Sequence, residues 1–383
     1  MNMLKVLSRL WTCSVKSISK AQQRQNKKIV KSLLSAAAPA KAAPAKRVRA
    51  SRVAASAKVA VKSTPAKPAI KAKIQSIIAP GKWLASYYSS FDGDGKLPAR
   101  RMAYWLYLPD SAKSGPLPLV VMLHGCEQSA TQFSQGTRMN QLAEQKGFAV
   151  VYPQQSLRSH PNRCWNWYDT ATQEGGGDVS MLVGIINKVT QQYAMDRRRI
   201  YIAGLSAGAA MANIVALNYP DLIAAVGLHS SPVFGAGHSA VTAYAVMQHG
   251  TVNVMGHALQ QVLQRHANFP NLPAILIPGQ ADKVVRPINQ VQLAQQFRCV
   301  NQLSPETAGP PVLKAAGRVG SANPKHAMKS VDYRRGNRVV LRVCEVLKLE
   351  HAWSGGDCAI KFNACAGPDA SKMMWDFFVK HRR

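Results

Sequence analysis

The chain has 383 residues, 47% hydrophobic and 17% charged, with 49 Lys and Arg against 18 Asp and Glu for a formal net charge of +31. The imbalance is local, since residues 1–75 hold 18 of the basic residues and none of the acidic ones, and the first carboxylate is Asp92. No apolar run approaches the roughly 18 residues of a membrane-spanning helix, and the remaining 308 residues have an ordinary globular composition.

Taken from the N-terminus, residues 1–34 carry a helical pattern. At about 100° per residue, Leu4, Leu7, Trp11, Val15, Ile18, Ile29 and Leu33 fall in one stripe. Lys5, Arg9, Lys16, Lys20, Lys27 and Lys31 fall opposite, a basic amphipathic helix suited to an anionic membrane or a polymer-granule surface. A targeting peptide is the competing reading of such an acid-free segment. Residues 35–72 are nearly all Ala, Lys, Arg, Pro, Val and Ser without an aromatic, too little apolar surface to offset the entropy of ordering, and predict a disordered linker. The basic extension therefore covers 1–75 and the globular domain 76–383. Charge supports nonspecific attraction to polyanions, but no aromatic residues accompany the linker to read bases, so no specific nucleic-acid partner is expected.

Further along, apolar runs alternate with helical patterns, which predicts an α/β fold with a mainly parallel central sheet flanked by helices. Strands are expected over 102–108, 119–123, 148–152, 200–203, 224–228, 274–277, 330–334 and 338–349. Helices are expected over 130–145, 178–193 with Asp178 as its cap, 206–217, 288–297 and 369–381. Residues 232–270 read as helical and irregular, a cap over one edge.

The chemistry centres on Gly204-Leu205-Ser206-Ala207-Gly208, a G-x-S-x-G motif lying between a predicted strand and a predicted helix. That context places a serine on a sharp turn at the carboxyl edge of a sheet, the nucleophile elbow of an α/β-hydrolase fold. A serine hydroxyl needs a base, and the base an orienting carboxylate, in the chain order Ser, acid, His. Asp282 follows the strand over 274–277 on a loop at the same edge; Asp221, between a helix and a strand, lies at the wrong one. His351 follows the last long strand and is the expected base, while His229 precedes the acid and breaks the order. His238, His249, His257 and His266 fall in the cap segment. An oxyanion needs preorganised N–H groups, expected from Ala207, which follows the nucleophile, and from Cys126 in the loop after the first buried strand, with Glu127 next to it. His124 reads as a structural residue of that loop.

From about Met102 onward the sequence resembles the polyhydroxybutyrate (PHB) depolymerase family of esterases, which includes feruloyl and acetylxylan esterase relatives. The matching stretches are His124-Gly125-Cys126 with Gln128, Cys164-Trp165-Asn166-Trp167, Gly177-Asp178-Val179, the serine motif, Asp282 with Val285 and Pro287, and His351-Ala352-Trp353-Ser354-Gly355-Gly356. The resemblance implies hydrolysis of a polyester, its oligomers or a small ester through an acyl-enzyme. A feruloyl- or acetylxylan-type esterase is the alternative, and a non-catalytic surface-binding protein the alternative of another class, against which the intact Ser206, Asp282 and His351 set speaks. Trp165, Trp167 and Trp353 read equally as the lining of a substrate site and as core. The resemblance leaves out residues 1–75, and Cys358 and Cys365 depart from its pattern.

Of seven cysteines, Cys126 and Cys164 lie on loops after catalytic-edge strands and are expected to pair, as the resemblance suggests; Cys358 with Cys365 and Cys299 with Cys344 are further candidate pairs, and Cys13 is the odd one. No C-x₂-C spacing occurs, so neither zinc nor any other metal or cofactor is expected. Disulfides and the resemblance favour an extracellular setting; the lack of an apolar signal core favours a cytoplasmic or granule-associated one.

Overall fold

The computed structural model describes residues 79–90, 100–111, 115–266, 268–317 and 325–383. The amphipathic helix, the linker and Cys13 of the basic extension lie outside the described residues. The strands are β1 (Lys82–Ser89), β2 (Arg101–Leu108), β3 (Leu117–Leu123), β4 (Ala149–Pro153), β5 (Met195–Leu205), β6 (Ala225–His229), β7 (Ala274–Ile277), β8 (Val312–Lys314), β9 (Met328–Arg335) and β10 (Arg338–Val346). They form one sheet in the order β1-β2-β4-β3-β5-β6-β7-β10-β9-β8. Its middle, from β4 to β10, is parallel, and both edges are antiparallel.

Why these segments are strands is visible in β3. Leu119, Val121 and Leu123 face one hydrophobic core while Val120 and Met122 face another, so a parallel strand covered on both sides is apolar at every position. One face is covered by α1 (Ala130–Thr137), α2 (Met139–Lys146) and α9 (Ala370–Phe378). The other is covered by α4 (Asp178–Gln192), α5 (Ala207–Asn218), α6 (Ala240–His249), α7 (His257–Arg265) and α8 (Ile288–Val300), while the one-turn α3 (Thr170–Gln173) lies in the loop after β4.

The expected elements are present with shifted ends, and three differences have physical causes. The helix predicted over 130–145 is two, because Arg138 takes a left-handed φ of 55° between a capping box at Ser129 and the start of α2. Asp178 does not cap α4: Gly177 holds the cap position, and the Asp178 carboxylate receives Arg100 at 2.6 Å and Gln155 Nε2 at 2.5 Å instead. The strands β1 and β8 carry no clean apolar alternation because they are exposed edges, which is why periodicity passed over them.

The cap segment is tied down by buried amides of α8. Asn289 Oδ1 accepts the Val233 N–H, Gln296 Oε1 the Phe234 N–H, and Gln290 Nε2 donates to the Ser231 carbonyl. Among the described residues no helix is long and apolar enough to cross a membrane.

Strand register decides where the loops gather. Leu123 pairs with Gly204, Leu205 with His229, and His229 with Ile277, so β3, β5, β6 and β7 end level and their following loops meet at one edge. On the α9 face, Trp375 stacks on Phe148 at 3.9 Å and meets Tyr201 edge-on at 6.4 Å. Trp375→Ala is expected to lower unfolding free energy by about 3–5 kcal/mol in urea titration, and a loss under about 1 kcal/mol would show this contact to be peripheral.

Candidate active site

At the level edge the chain leaves β5, turns at Ser206 and enters α5. Ser206 has φ 57° and ψ −123°, a conformation that costs a non-glycine residue about 1–3 kcal/mol. Its surroundings hold it there. The Ser206 N–H donates to the His229 carbonyl at 2.9 Å, which ties the turn to β6. Gly208 lets the first turn of α5 press on the end of β3: a Cβ at this position would lie 2.2 Å from the Leu123 carbonyl oxygen and 2.4 Å from that of His124.

Asp282 stands in the loop after β7 with 3% exposure. Its Oδ1 accepts the N–H groups of Val284 and Val285, both at 2.9 Å. Its Oδ2 accepts His351 Nδ1–H at 2.8 Å, so the carboxylate fixes the ring and leaves Nε2 as the basic nitrogen. The two loops are zipped together: Gln280 N–H donates to the Val346 carbonyl and Ala281 N–H to that of Leu349, each at 2.9 Å. Gly279 makes the approach possible, because a Cβ there would sit 2.5 Å from the Leu349 carbonyl oxygen.

Ser206 and His351 line one narrow cleft with Gly125, Cys126, Glu127, Gln128, Leu205 and Phe362. The Ser206 hydroxyl has no hydrogen-bond partner among the described residues; catalytic hydrogen bonds commonly tighten only with substrate in place. Opposite it, the loop after β3 offers amides. Gly125 N–H is taken by Gln128 Oε1 and Glu127 N–H by the Asn162 carbonyl, each at 2.8 Å. Among the described residues the Cys126 N–H meets no acceptor, and Ala207, first residue of α5, has no intrahelical acceptor for its own. Cys126 thus lines the cleft with an uncommitted amide, and the Ala207 amide lies at a helix N-terminus, which favours negative charge.

The loop bearing Cys126 is braced from below. Cys126 and Cys164 are disulfide-bonded, and Trp165 Nε1 donates to the His124 carbonyl at 2.9 Å. His124 Nδ1–H donates to the Gly125 carbonyl at 2.8 Å while its Nε2 accepts the Gln155 N–H at 3.1 Å. Gln155 in turn reaches Asp178, so the Gly177-Asp178 stretch supports the loop through a chain of buried polar groups. His229 does the corresponding service for the base: its Nε2 accepts the Ser354 N–H at 3.2 Å and its ring stacks on Trp353.

Several expectations change here. Trp165 and Trp353 are fully buried and Trp167 is 3% exposed, and none of the three is among the residues lining this cleft. Trp353 meets Phe133 edge-on and donates Nε1–H to Ser371 Oγ. Cys358 and Cys365 are disulfide-bonded, whereas Cys299 and Cys344 are free, Cys344 being buried in β10 and Cys299 exposed on α8. Phe362 lines the cleft, and no sequence signal marked it. Among the described residues no three His, Cys, Asp or Glu side chains gather as a metal site.

The model of a family described as esterase PHB depolymerase matches residues 102–313, more than half of the chain. The chain belongs to this family. It is 30% identical over 184 residues to poly(3-hydroxyalkanoate) depolymerase C of Paucimonas lemoignei, covering 47% of this chain and 44% of that protein. It is 32% identical over 169 residues to feruloyl esterase B of Thermothelomyces thermophilus, covering 43% and 55%. The chain thus spans about half the length of these curated relatives. Among solved structures, an acetyl xylan esterase from Aspergillus awamori superposes with a TM-score of 0.57 at 19% identity, covering 77% of this chain and 99% of that one, which shows the α/β-hydrolase fold.

Burial pushes the imidazoles of His124, His229 and His381 down to about 4, about 3 and about 4, and nearby His351 and basic groups add to the effect for His229 and His381 respectively. Unfolded, each returns to its ordinary value of 6.5 and binds a proton that the folded chain refuses. Their contribution to stability is therefore complete above that value and is lost as the pH falls towards 4. Thermal melts are expected to show Tm declining from about pH 7 to about pH 4.5, and a flat Tm would mean that these rings are protonated in the folded protein.

Proposed function

We propose that this protein is a serine carboxylesterase that cleaves ester bonds of short-chain polyhydroxyalkanoates or their oligomers through an acyl-enzyme. The observation that carries the reading is that Ser206, on its positive-φ turn, and His351, whose Nδ1–H is held by Asp282, line one cleft. The serine oxygen attacks the ester carbonyl while His351 Nε2 takes its proton, and Asp282 steadies the imidazolium that forms. Negative charge on the carbonyl oxygen is received by the N–H groups of Ala207 and Cys126. Collapse expels the alcohol, which carries away the proton from His351. Water, deprotonated by the same ring, then releases the acid.

The polyester substrate is supported by family membership and the depolymerase relative; the feruloyl- and acetylxylan-type reading has equal support from relatives of similar identity. Hydrolysis of p-nitrophenyl butyrate, 3-hydroxybutyrate oligomers, methyl ferulate and acetylated xylan by the full chain separates them. Ser206→Ala is expected to lower kcat by about 10⁴-fold or more and Asp282→Asn by about 10⁴-fold, each in folded protein. A Ser206→Ala protein with wild-type turnover would sink the mechanism, and activity confined to ferulate or xylan would replace the polyester with the second reading.

The basic stripe of residues 1–34 is proposed to hold the enzyme on an anionic membrane or on polymer granules, by apolar burial plus charge attraction. Replacing Lys5, Arg9, Lys16, Lys20, Lys27 and Lys31 together by Glu is expected to abolish sedimentation with anionic vesicles and granules. Unchanged sedimentation would exclude that role.

A further inference from the structure

The disulfide-closed loop after His351 contributes one residue, Phe362, to the lining of the cleft. After β11 (Trp353–Ser354) the chain loops out and returns as β12 (Asn363–Ala364), pairing Trp353 with Asn363, and the Cys358–Cys365 disulfide closes the excursion. Trp353 N–H donates to the Phe362 carbonyl at 2.7 Å, and Asp357 N–H to the Gly136 carbonyl in α1 at 2.8 Å. Gln128, whose Oε1 holds the Gly125 amide, donates its Nε2 to the Lys361 carbonyl at 3.5 Å.

Between these ties Phe362 adopts φ 63°. For a bulky aromatic residue this is an outlier, and such backbone persists only where the surroundings over-determine it, as at ligand clamps. Phe362 lines the cleft beside Ser206, His351 and Leu205 and packs against the core on the α1 and α9 side of the sheet. Of the two large apolar side chains in the lining, Leu205 is 1% exposed and offers little surface, whereas Phe362 is half-buried, as are the neighbouring Cys126 and Glu127. With the carbonyl oxygen held by the Ala207 and Cys126 amides and His351 serving the leaving alcohol, the acyl chain is left to meet this ring.

The geometry points to Phe362 as a specificity-determining residue that limits the length and bulk of the acyl group and disfavours long chains and hydroxycinnamoyl groups. The inference rests on the ester-cleaving reading of the same cleft and deepens it. A methylene too many in an apolar pocket is a matter of tenfold or more in rate, so the limit is measurable.

The test compares kcat/KM for p-nitrophenyl acetate, butyrate and octanoate and for methyl ferulate in the full chain, in Phe362→Gly and in Cys358→Ser/Cys365→Ser. Glycine suits φ 63° and removes the ring, so this variant is expected to fold, as a thermal melt checks. In wild type the octanoate value is expected at least tenfold below butyrate. Phe362→Gly is expected to raise the octanoate-to-butyrate ratio more than threefold, and the double serine variant to move it in the same direction. Hydrolysis with a ratio in Phe362→Gly within threefold of wild type overturns the inference alone. Absence of hydrolysis of all four esters by wild type overturns the esterase reading and this inference with it.

Discussion

A residue with a side chain can stand at positive φ between a buried strand and a helix only if the chain on either side has nowhere else to go. That is the condition at Ser206. β5 is fixed between β3 and β6, α5 is pressed on the end of β3 through Gly208, and the turn's own amide is bonded to His229. The strain of the turn is small beside the burial of the elements that impose it, since β5 ends in a continuous run of buried residues and α5 is buried along nearly its whole length. The position of the serine hydroxyl is therefore a product of the core, and the cleft can be no better ordered than the sheet beneath it.

The polar groups around the cleft obey a second condition. His124, Gln155 and Asp178 are all buried, and a buried polar group is tolerated only when its hydrogen bonds are made. Here His124 and Gln155 bond backbone groups and the next member of the chain, and Asp178 accepts both Gln155 and Arg100, which together hold the Cys126 loop in a fixed position. The low basicity of His124 belongs to the same arrangement: burial disfavours the charged ring, and the neutral ring keeps Nε2 free to accept the Gln155 N–H.

What the sequence made legible was chemistry with a local signature. The strand–serine–helix pattern located the elbow, chain order selected Asp282 and His351, and apolar runs located the parallel strands, because in each case a few consecutive residues state the requirement. What it left illegible depends on distant pairing. The tryptophans carry no mark to say whether they face a cleft or a core, and only the packing of Trp353 between Phe133 and His229 settles it. Phe362 sits in an irregular loop with no periodicity, and its neighbours in space, Ser206 and Cys126, are far away in sequence. Asp178 looked like a cap because Asp favours that position, but Arg100 and Gln155 reach it from other parts of the fold.

His229 has one further consequence. Its carbonyl holds the amide of Ser206, and its imidazole holds the amide of Ser354, three residues beyond His351. Nucleophile and base loops are therefore referenced to one point at the end of β6. A displacement of that strand carries both loops along together, so it is common to the two and largely cancels from their separation. Only motions that shear one loop against the other change the reacting distance, and the zipped backbones of the Asp282 and His351 loops oppose those. The arrangement filters the sheet's vibrations rather than suppressing them.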